Sequence, residues 1–591
     1  MNARWDLNPI YTGFDAPEFA ADFAAAKDCI QDLTAFAAGL PRAGRKEALE
    51  EALEEALEEA LGLEETFTQL LQKLATYAEL RQSANTRDNE AMSAFGRVLA
   101  LDAEAAAPLA AIRQWVGSLE DLESLVNASP VLEEYRYLLS RIHKNRVHQL
   151  PGIGEEVVAK LSRSDAWAEL HQHLTSTVAV QYGDTTTNLS SIRNLAYSSD
   201  AKVRKDAYEA ELGCYKAIQD PVAFALNALK LKTITMAQLR GYASPLAMTL
   251  EGADMGRETL DAMLEAMDEY LPKFWQYLRV KGQLLGHEKG LPWYDLFAPV
   301  GKSSRTFTTQ EARDYLVELF SRFDSDEAQM IAQAFDGGWI DFFPRDGKAG
   351  GAFCAGVDSI GESRILTNFD GQMGDVVTLA HELGHAFHNR NIRSHRPLNK
   401  DYSMPLAETA STFNECVVMA SAIADAESDQ EKLSLIEAQL SDLTQVICDI
   451  YSRYRFETEV FARREQEFLN AETLCDIMLR AQKASYGDGL DHEFLHPYMW
   501  VCKSHYYGST FYNFPYAFGA LFARGLYAQY ETEGAAFVPK YKKLLAATTV
   551  SSAEDTAKVA GIDLTDKSFW RGALEIAAKQ IDLFCELAQK Q

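Results

Sequence analysis

The chain has 591 residues, of which 47% are hydrophobic, and a formal net charge of −29. A chain of this length buries a large core and is expected to form more than one lobe. The strong negative charge argues against a nucleic-acid-binding protein, which needs basic stripes on its surface.

The cysteines and the apolar runs indicate the compartment. Eight cysteines lie singly along the chain without a Cys-x-x-Cys pair, which favours reduced thiols over a disulfide framework. The first residues lack an apolar signal segment, and no uninterrupted apolar run approaches about 18 residues. We therefore expect a cytoplasmic protein that does not span a membrane.

Helical patterns dominate the N-terminal part of the chain. Asp15 is expected to cap a helix that begins near Pro17 and ends at Gly39. A Glu-Ala-Leu-Glu repeat from Glu47 then places leucines four residues apart among glutamates. This spacing predicts an acidic amphipathic helix, because its period is one helical turn and not that of a solenoid repeat.

A polar segment without helical periodicity, residues 181–188, marks the predicted domain boundary. We expect an N-terminal helical domain over residues 1–185. A second domain, over residues 186–591, would then contain every motif that carries chemistry. Within it, Thr308 and Glu311 have the spacing of a capping box and predict a helix start.

The pattern changes from helical to extended between Phe342 and Asp370. Glycines mark a loop over residues 344–351, and residues 352–356 and 363–369 have the pattern of short strands. A small sheet offers an edge that can pair with an extended peptide, and glycines let a peptide backbone approach closely. The candidate peptide-binding residues are Gly350, Gly351, Ala352 and Phe353. The alternative is an ordinary hairpin without a ligand.

The motif His381-Glu-Leu-Gly-His385 follows on a predicted helix, with Asp375 as its expected N-cap. Two imidazoles at i and i+4 share a helical face and can hold zinc, while the glutamate beside them can act as a base on a water molecule. So short a motif also occurs by chance. His388 lies about 10 Å along the axis from His381 and is expected to neighbour the site without being a ligand.

A third zinc ligand is expected to be a carboxylate. Glu408 and Glu415 are seven residues apart, hence on one helical face, in a segment that otherwise lacks charge. We predict that Glu408 is the third ligand and that Glu415 orients a ligand histidine. The alternative is that both are solvated glutamates on a surface helix.

Together these motifs resemble the zinc oligopeptidases of the oligoendopeptidase F and thimet oligopeptidase family. The resemblance is carried by residues 381–388 and 408–415, and it extends to residues 5–11, 351–354 and 505–519. It therefore spans nearly the whole chain. It implies a mainly α, multi-helix, zincin-like fold with two lobes around a deep channel and a small β-sheet next to the zinc helix.

The resemblance also implies an activity. A member of this family would be an endopeptidase with one zinc ion per chain that cleaves internal bonds of short unfolded oligopeptides. Glu382 would take a proton from zinc-bound water and deliver it to the leaving amine. His505, Tyr512 and Tyr516 would contact the substrate or stabilise the oxyanion, with the two tyrosines at i and i+4 if their segment is helical. The alternative for these aromatic residues is core packing.

Two other classes of function compete with this one. A carboxypeptidase or an aminopeptidase can use the same ligands, but the chain lacks a Gly-x-Met-Glu-Asn segment and has Gly384 where the resembling carboxypeptidases carry arginine. A non-enzymatic helical peptide-binding protein would not need a base at Glu382. The expected partners are oligopeptides. Mn or Co would suit the same ligands, and the oligomeric state is left open.

Overall fold

A computed structural model describes residues 2–40, 48–150, 154–161, 165–301 and 305–590. The described chain is mainly α-helical with small sheets, which confirms the predicted fold class. The helices of its first half are α1 (Pro17–Ala38), α2 (Ala48–Ala84), α3 (Asn89–Ser118), α4 (Leu122–Ala128), α5 (Pro130–Glu134), α6 (Arg136–Asn145), α7 (Gly154–Leu161), α8 (Ala166–Thr177), α9 (Leu189–Asn194), α10 (Ala201–Leu239), α11 (Pro245–Gly252) and α12 (Arg257–Leu284).

The second half is also rich in helix and contains the two histidines of the motif and the two glutamates that follow it. Its helices are α13 (Thr309–Ser321), α14 (Ser325–Asp336), α15 (Met373–Ile392), α16 (Thr409–Ala424), α17 (Asp429–Thr444), α18 (Ile450–Arg464), α19 (Ala471–Tyr486), α20 (Met499–Cys502), α21 (His505–Gly508), α22 (Phe514–Glu533), α23 (Val538–Ala547), α24 (Ala553–Lys558) and α25 (Lys567–Ala588). A π-helical turn, Gln445–Asp449, joins α17 to α18.

The contacts of the chain divide it into two compact units, each built from three separate stretches. Unit 1 comprises Met1–Gln149, Arg305–Val418 and Glu533–Ala560; unit 2 comprises Leu150–Ser304, Met419–Thr532 and Gly561–Gln591. The first change of unit therefore lies at residues 149–150, and not at the boundary expected between residues 185 and 186. The difference arises because Val180 and Leu189 pack in the same apolar core as α10, a long-range contact that has no local signal.

The segment chosen for that boundary is a hairpin inside unit 2. Strands β1 (Ala179–Tyr182) and β2 (Thr185–Asn188) pair antiparallel, with Val180 opposite Thr187. Gly183 has a φ of +57°, a conformation that suits a tight two-residue turn between strands. The polar, non-helical pattern does mark a break in helical structure, but the break is a turn within one unit.

A three-stranded sheet in unit 1 precedes α15. Its order is β3 (Ile340–Asp341), β5 (Glu362–Leu366) and β4 (Phe353–Val357). The central strand β5 pairs parallel with β3 and antiparallel with β4, so β4 forms one edge of the sheet. The sheet predicted beside the histidine helix is thus present.

The core of unit 1 joins this sheet to the N-terminal helices. Leu57 and Leu61 of α2 are buried, as the amphipathic repeat predicts, while Glu47 at the start of the repeat lies outside the described residues. Val357 and Leu366 of the sheet belong to the same apolar cluster. Burial against α1, α2 and α3 therefore fixes the sheet that leads into α15.

Two predicted helix starts have different outcomes. Thr308 and Glu311 form the capping box expected before α13. The side chain of each residue accepts a hydrogen bond from the backbone N–H of the other. The cap of α1 is Ala16, without a side-chain hydrogen bond, so Asp15 is not the N-cap. The residue before a proline avoids helical backbone angles. Ala16, which precedes Pro17, is therefore the N-cap, and the helix begins at Pro17. Gly39 ends α1 as predicted.

Unit 2 has its own apolar core, centred on α10, α18 and α19, with Tyr215, Phe456 and Trp500 fully buried. The same unit also buries charge: Lys230 of α10 pairs with Glu457 of α18 at 2.6 Å. In the described part of the chain, no helix combines the length and the apolar character required to cross a bilayer.

Candidate active site

Helix α15 positions the two histidines of the motif. Its N-cap is Gln372 and not Asp375; Asp375 occupies the third helical position and completes a capping box with Gln372. The carboxylate of Asp375 accepts hydrogen bonds from the backbone N–H groups of Gln372 and Asp370, both at 2.9 Å. The helix start is therefore fixed two turns before His381, and the two histidine rings lie 4.9 Å apart on one face.

Three ligand atoms meet at this face. Nε2 of His381 lies 3.3 Å from Oε2 of Glu408, and Nε2 of His385 lies 3.4 Å from the same oxygen. All three atoms lie within 4.8 Å of one another. A tetrahedral zinc ion with bonds of about 2.1 Å needs its ligand atoms about 3.4 Å apart. The residues present therefore fit a zinc ion in both chemistry and spacing.

Glu408 lies between a short 3₁₀ turn, Met404–Leu406, and the start of α16. Ser411 donates a hydrogen bond from Oγ to Oε2 of Glu408 at 2.7 Å. Burial alone would raise the pKa of Glu408, but the neighbouring His385 and His381 and the bond from Ser411 lower it to about 2. The carboxylate is thus held in its charged form, which is the form that binds a metal ion.

Glu415 contacts the opposite nitrogen of His381. Its Oε1 lies 2.6 Å from Nδ1 of that imidazole. Burial would lower the pKa of His381, but the bond and charge of Glu415, together with Glu408, raise it to about 9. The contact directs Nε2 of His381 toward Glu408, which is the role expected of a carboxylate behind a metal-binding histidine.

Replacing Glu415 with glutamine is expected to weaken zinc binding by about 10- to 100-fold, because the charge-assisted bond that orients His381 is lost. Competition with a chelating dye would measure the zinc affinity. Asp370→Asn, which removes an exposed charge from the same unit, is the control and should bind zinc as the parent does. An unchanged zinc affinity in Glu415→Gln would show that the contact does not support the metal site.

Glu382 lies beside the ligands and is 5% exposed. Burial raises the pKa of its carboxyl group, although the two neighbouring histidines oppose that shift. Cys354 of the edge strand β4 lies close enough to Glu382 for the carboxylate charge to raise the pKa of its thiol, in addition to the larger effect of burial. A carboxylate with a raised pKa is suited to accept a proton and to return it later.

Gly384, between the two histidines, has a structural role that sequence reasoning missed. A Cβ placed on Gly384 would lie 2.6 Å from the carbonyl oxygen of Ala410 and 2.6 Å from Cα of Ser411. The absence of a side chain thus lets α15 contact the start of α16, which brings Glu408 to the histidines. A glycine in a helix interior lowers stability. Its presence between the two histidines was therefore the available sequence signal for a close backbone approach.

His388 is separate from the ligand group. It is fully buried, its Nε2 lies 2.8 Å from Oγ1 of Thr548, and its ring stacks on Tyr402 with centroids 4.5 Å apart. Burial lowers the pKa of His388 to about 3, so the ring is neutral. Its contacts are those of a packing residue behind the histidine face.

The four candidate peptide-binding residues, Gly350 to Phe353, lie at the start of the edge strand. Gly350 and Gly351 are exposed, with open space where a Cβ would lie, and Gly351 has a φ of +78°. Asn368 fixes their loop by donating to the carbonyl oxygen of Gly351 at 2.9 Å. The rings of Phe353 and Trp5 pack together, with their centroids 6.2 Å apart.

The aromatic candidates belong to unit 2. His505 and Tyr512 stack with centroids 5.4 Å apart, and Tyr516 meets both rings edge-on, at 6.0 and 5.4 Å. The condition for the i, i+4 helical spacing of the tyrosines is not met, because Tyr512 lies in a turn and α22 begins at Phe514. The buried phenylalanines of this segment do pack in a core, whereas Tyr512 and Tyr516 are partly exposed.

Comparisons with known proteins show the family to which this chain belongs. Residues 194–576 match the profile of "Peptidase family M3". Oligopeptidase PepF of Bacillus subtilis (strain 168) is 24% identical over 99% of this chain and 87% of that protein. Oligoendopeptidase-F from Enterococcus faecium has a similar fold, with a TM-score of 0.72 and 18% identity over 97% of this chain and 99% of that one.

A protein from Chlamydophila abortus that was crystallised as a candidate peptidase also has this fold, with a TM-score of 0.83 and 21% identity over 99% of this chain and 98% of that one. These structures support the mainly helical fold. The family match covers well over half of the chain, including both histidines and Glu408. The chain therefore belongs to peptidase family M3 and is a metalloendopeptidase.

Proposed function

We propose that this enzyme hydrolyses internal peptide bonds of short unfolded oligopeptides, with one zinc ion held by His381, His385 and Glu408. The observation that carries the proposal is the spacing of 3.3 and 3.4 Å from one oxygen of Glu408 to the two imidazole nitrogens. The buried base Glu382 beside them supplies the second requirement of a hydrolytic site. The oligopeptidase name of the Bacillus subtilis relative supports the choice of substrate.

The chemistry divides between the metal and the protein. Zinc, when bound, supplies a Lewis acid that polarises the scissile carbonyl group and makes water more acidic. Glu382 accepts a proton from the attacking water and delivers it to the leaving amine nitrogen. Because burial raises the pKa of Glu382, its protonated form is accessible after the attack, as the second transfer requires.

His505, Tyr512 and Tyr516 are proposed as the groups that bind the substrate carbonyl and the oxyanion that replaces it. Tyrosine hydroxyls are neutral donors, and such donors stabilise negative charge that develops during acyl transfer. Burial and the nearby Arg453 and Lys503 lower the pKa of His505, so its ring is a neutral donor as well. The ring contacts among the three residues, one stacked and two edge-on, keep them as one group.

Strand β4 is proposed as the surface on which the peptide lies. An extended peptide would add to its free edge through backbone hydrogen bonds, which are independent of sequence and suit varied oligopeptides. Gly350 and Gly351 leave room for that backbone. The fixed ring of Phe353 keeps the strand in place, since it packs against Trp5 of the N-terminal segment.

We also propose that the enzyme acts in the cytoplasm on peptides. None of the eight cysteines, all of which lie within the described residues, forms a disulfide, which suits a reducing compartment. The net charge of −29 disfavours nucleic acid as a partner.

Digestion of a mixed peptide library, with and without a zinc chelator, tests the proposal. Mass spectrometry is expected to show paired fragments from cuts at internal bonds, no digestion of folded proteins, and loss of all cuts with chelator until zinc is restored. Peptides blocked at both ends should be cut equally well. Ladders of products that shorten from one end only, or activity that is insensitive to the chelator, would contradict it.

A further inference from the structure

The turn that carries Tyr512 has a strained backbone. Phe511 has a φ of +51°, in the left-handed region that bulky residues rarely adopt. Such strain costs free energy, persists only where the surroundings enforce it, and is often found at functional sites. Phe511 is also buried, with its ring stacked on Phe461 at 5.3 Å.

One carboxylate holds both neighbours of Tyr512. Oε1 of Glu457 accepts a hydrogen bond from the backbone N–H of Phe511 at 3.1 Å. Its other oxygen, Oε2, accepts from the side-chain amide of Asn513 at 2.9 Å. Asn513 in turn accepts from the backbone N–H of Phe514, the first residue of α22, at 2.7 Å. The turn is thus fixed on each side of Tyr512 by Glu457, a residue more than fifty positions earlier in the chain.

A buried lysine fixes that carboxylate. Nζ of Lys230 lies 2.6 Å from Oε1 of Glu457, and both side chains are 2% exposed. The same ammonium lies 4.9 Å above the ring of Phe461, on which Phe511 stacks. A buried ion pair is weak evidence for stability, and its best-attested use is to select one arrangement. Here the arrangement selected is the turn at Phe511.

We propose that Glu457 is a positioning residue that holds the turn of Phe511 and Asn513 so that the Tyr512 ring is presented beside His505. The proposal rests on the proposed function, because it assumes that Tyr512 acts on the substrate. Without Glu457, Phe511 loses the bond that compensates its strained backbone. The turn then relaxes to ordinary angles, and the Tyr512 ring moves away from its stacking partner.

A double-mutant cycle on a quenched internal peptide tests this coupling. Tyr512→Phe is expected to lower kcat by about 100-fold, as loss of one oxyanion donor does. Glu457→Gln is expected to lower kcat by at least about tenfold with little change in KM, and the double variant should be no slower than the slower single variant. Asn513→Ala, which leaves the pair of Glu457 and Lys230 intact, should act in the same direction and be equally non-additive.

Glu437→Gln is the matched control, since Glu437 is a buried carboxylate of unit 2 bonded to the buried Lys281 and to Tyr277 of α12. Its kcat per folded molecule should equal that of the parent. Additive losses, an equal loss in the control, or a Tyr512→Phe variant as fast as the parent would overturn the inference. Failure of the proposed function differs from all of these, because the unmodified enzyme would then show no chelator-sensitive cleavage of internal bonds.

Discussion

Replacing Glu382 with glutamine is expected to reduce peptide hydrolysis by about 10²- to 10⁴-fold, which is the usual contribution of a general base. Glutamine keeps the shape of the side chain but cannot accept the proton of the attacking water. The metal should remain bound, because the three ligand atoms belong to His381, His385 and Glu408. The loss should appear in kcat and kcat/KM alike, since the interaction is made in the transition state.

Steady-state kinetics on the quenched peptide, with metal content measured in the same samples, would separate loss of the base from loss of the metal. Asp370→Asn is the control variant, because it removes an exposed carboxylate from the same unit. It should keep both activity and zinc. A Glu382→Gln enzyme that retains zinc and full activity would exclude Glu382 as the base and, with it, the proposed mechanism. Loss of zinc would instead assign Glu382 to the metal site.

The metal side of the site could be predicted from the sequence because its determinants are local. A helix places residues four apart on one face, so His381 and His385 had to point the same way. One further inference was needed, namely that α16 returns to pack against α15. This return brings Glu415 to His381 and Glu408 to both histidines. A charge-poor segment with two glutamates indicated that step.

The aromatic side could not be predicted in the same way. The sequence around Tyr512 has helical spacing, but Phe511 takes a left-handed conformation that interrupts the helix. The groups that impose this conformation, Glu457 and Lys230, come from two other helices. Long-range contacts of the same kind decide the boundary between the units. Val180 and Leu189 pack in the core of α10, so the first change of unit lies at residues 149–150 and not at residues 185–186.

Replacing Gly384 with alanine is expected to damage both the fold and the metal site. The added Cβ would lie 2.6 Å from backbone atoms of Ala410 and Ser411, and backbone cannot turn aside as a flexible side chain can. Overpacking of this kind costs about 1–3 kcal/mol, which exceeds the gain of up to about 1 kcal/mol from better helix propensity. Separation of α15 from α16 would also draw Glu408, two residues before Ala410, away from the histidines.

Gly374→Ala is a matched control on the same helix, because a Cβ at Gly374 meets nothing within 4 Å. Alanine there should leave the free energy of unfolding unchanged or raise it by up to about 1 kcal/mol. Urea unfolding of the metal-free proteins would give that free energy, and dye competition would give the zinc affinity, which Gly384→Ala should lower by at least about tenfold since ligand distances tolerate only about 0.2 Å. If both alanine variants behave alike, the contact at Gly384 is not what brings Glu408 to the histidines, and the fit of the three ligand atoms must be enforced from elsewhere in the unit.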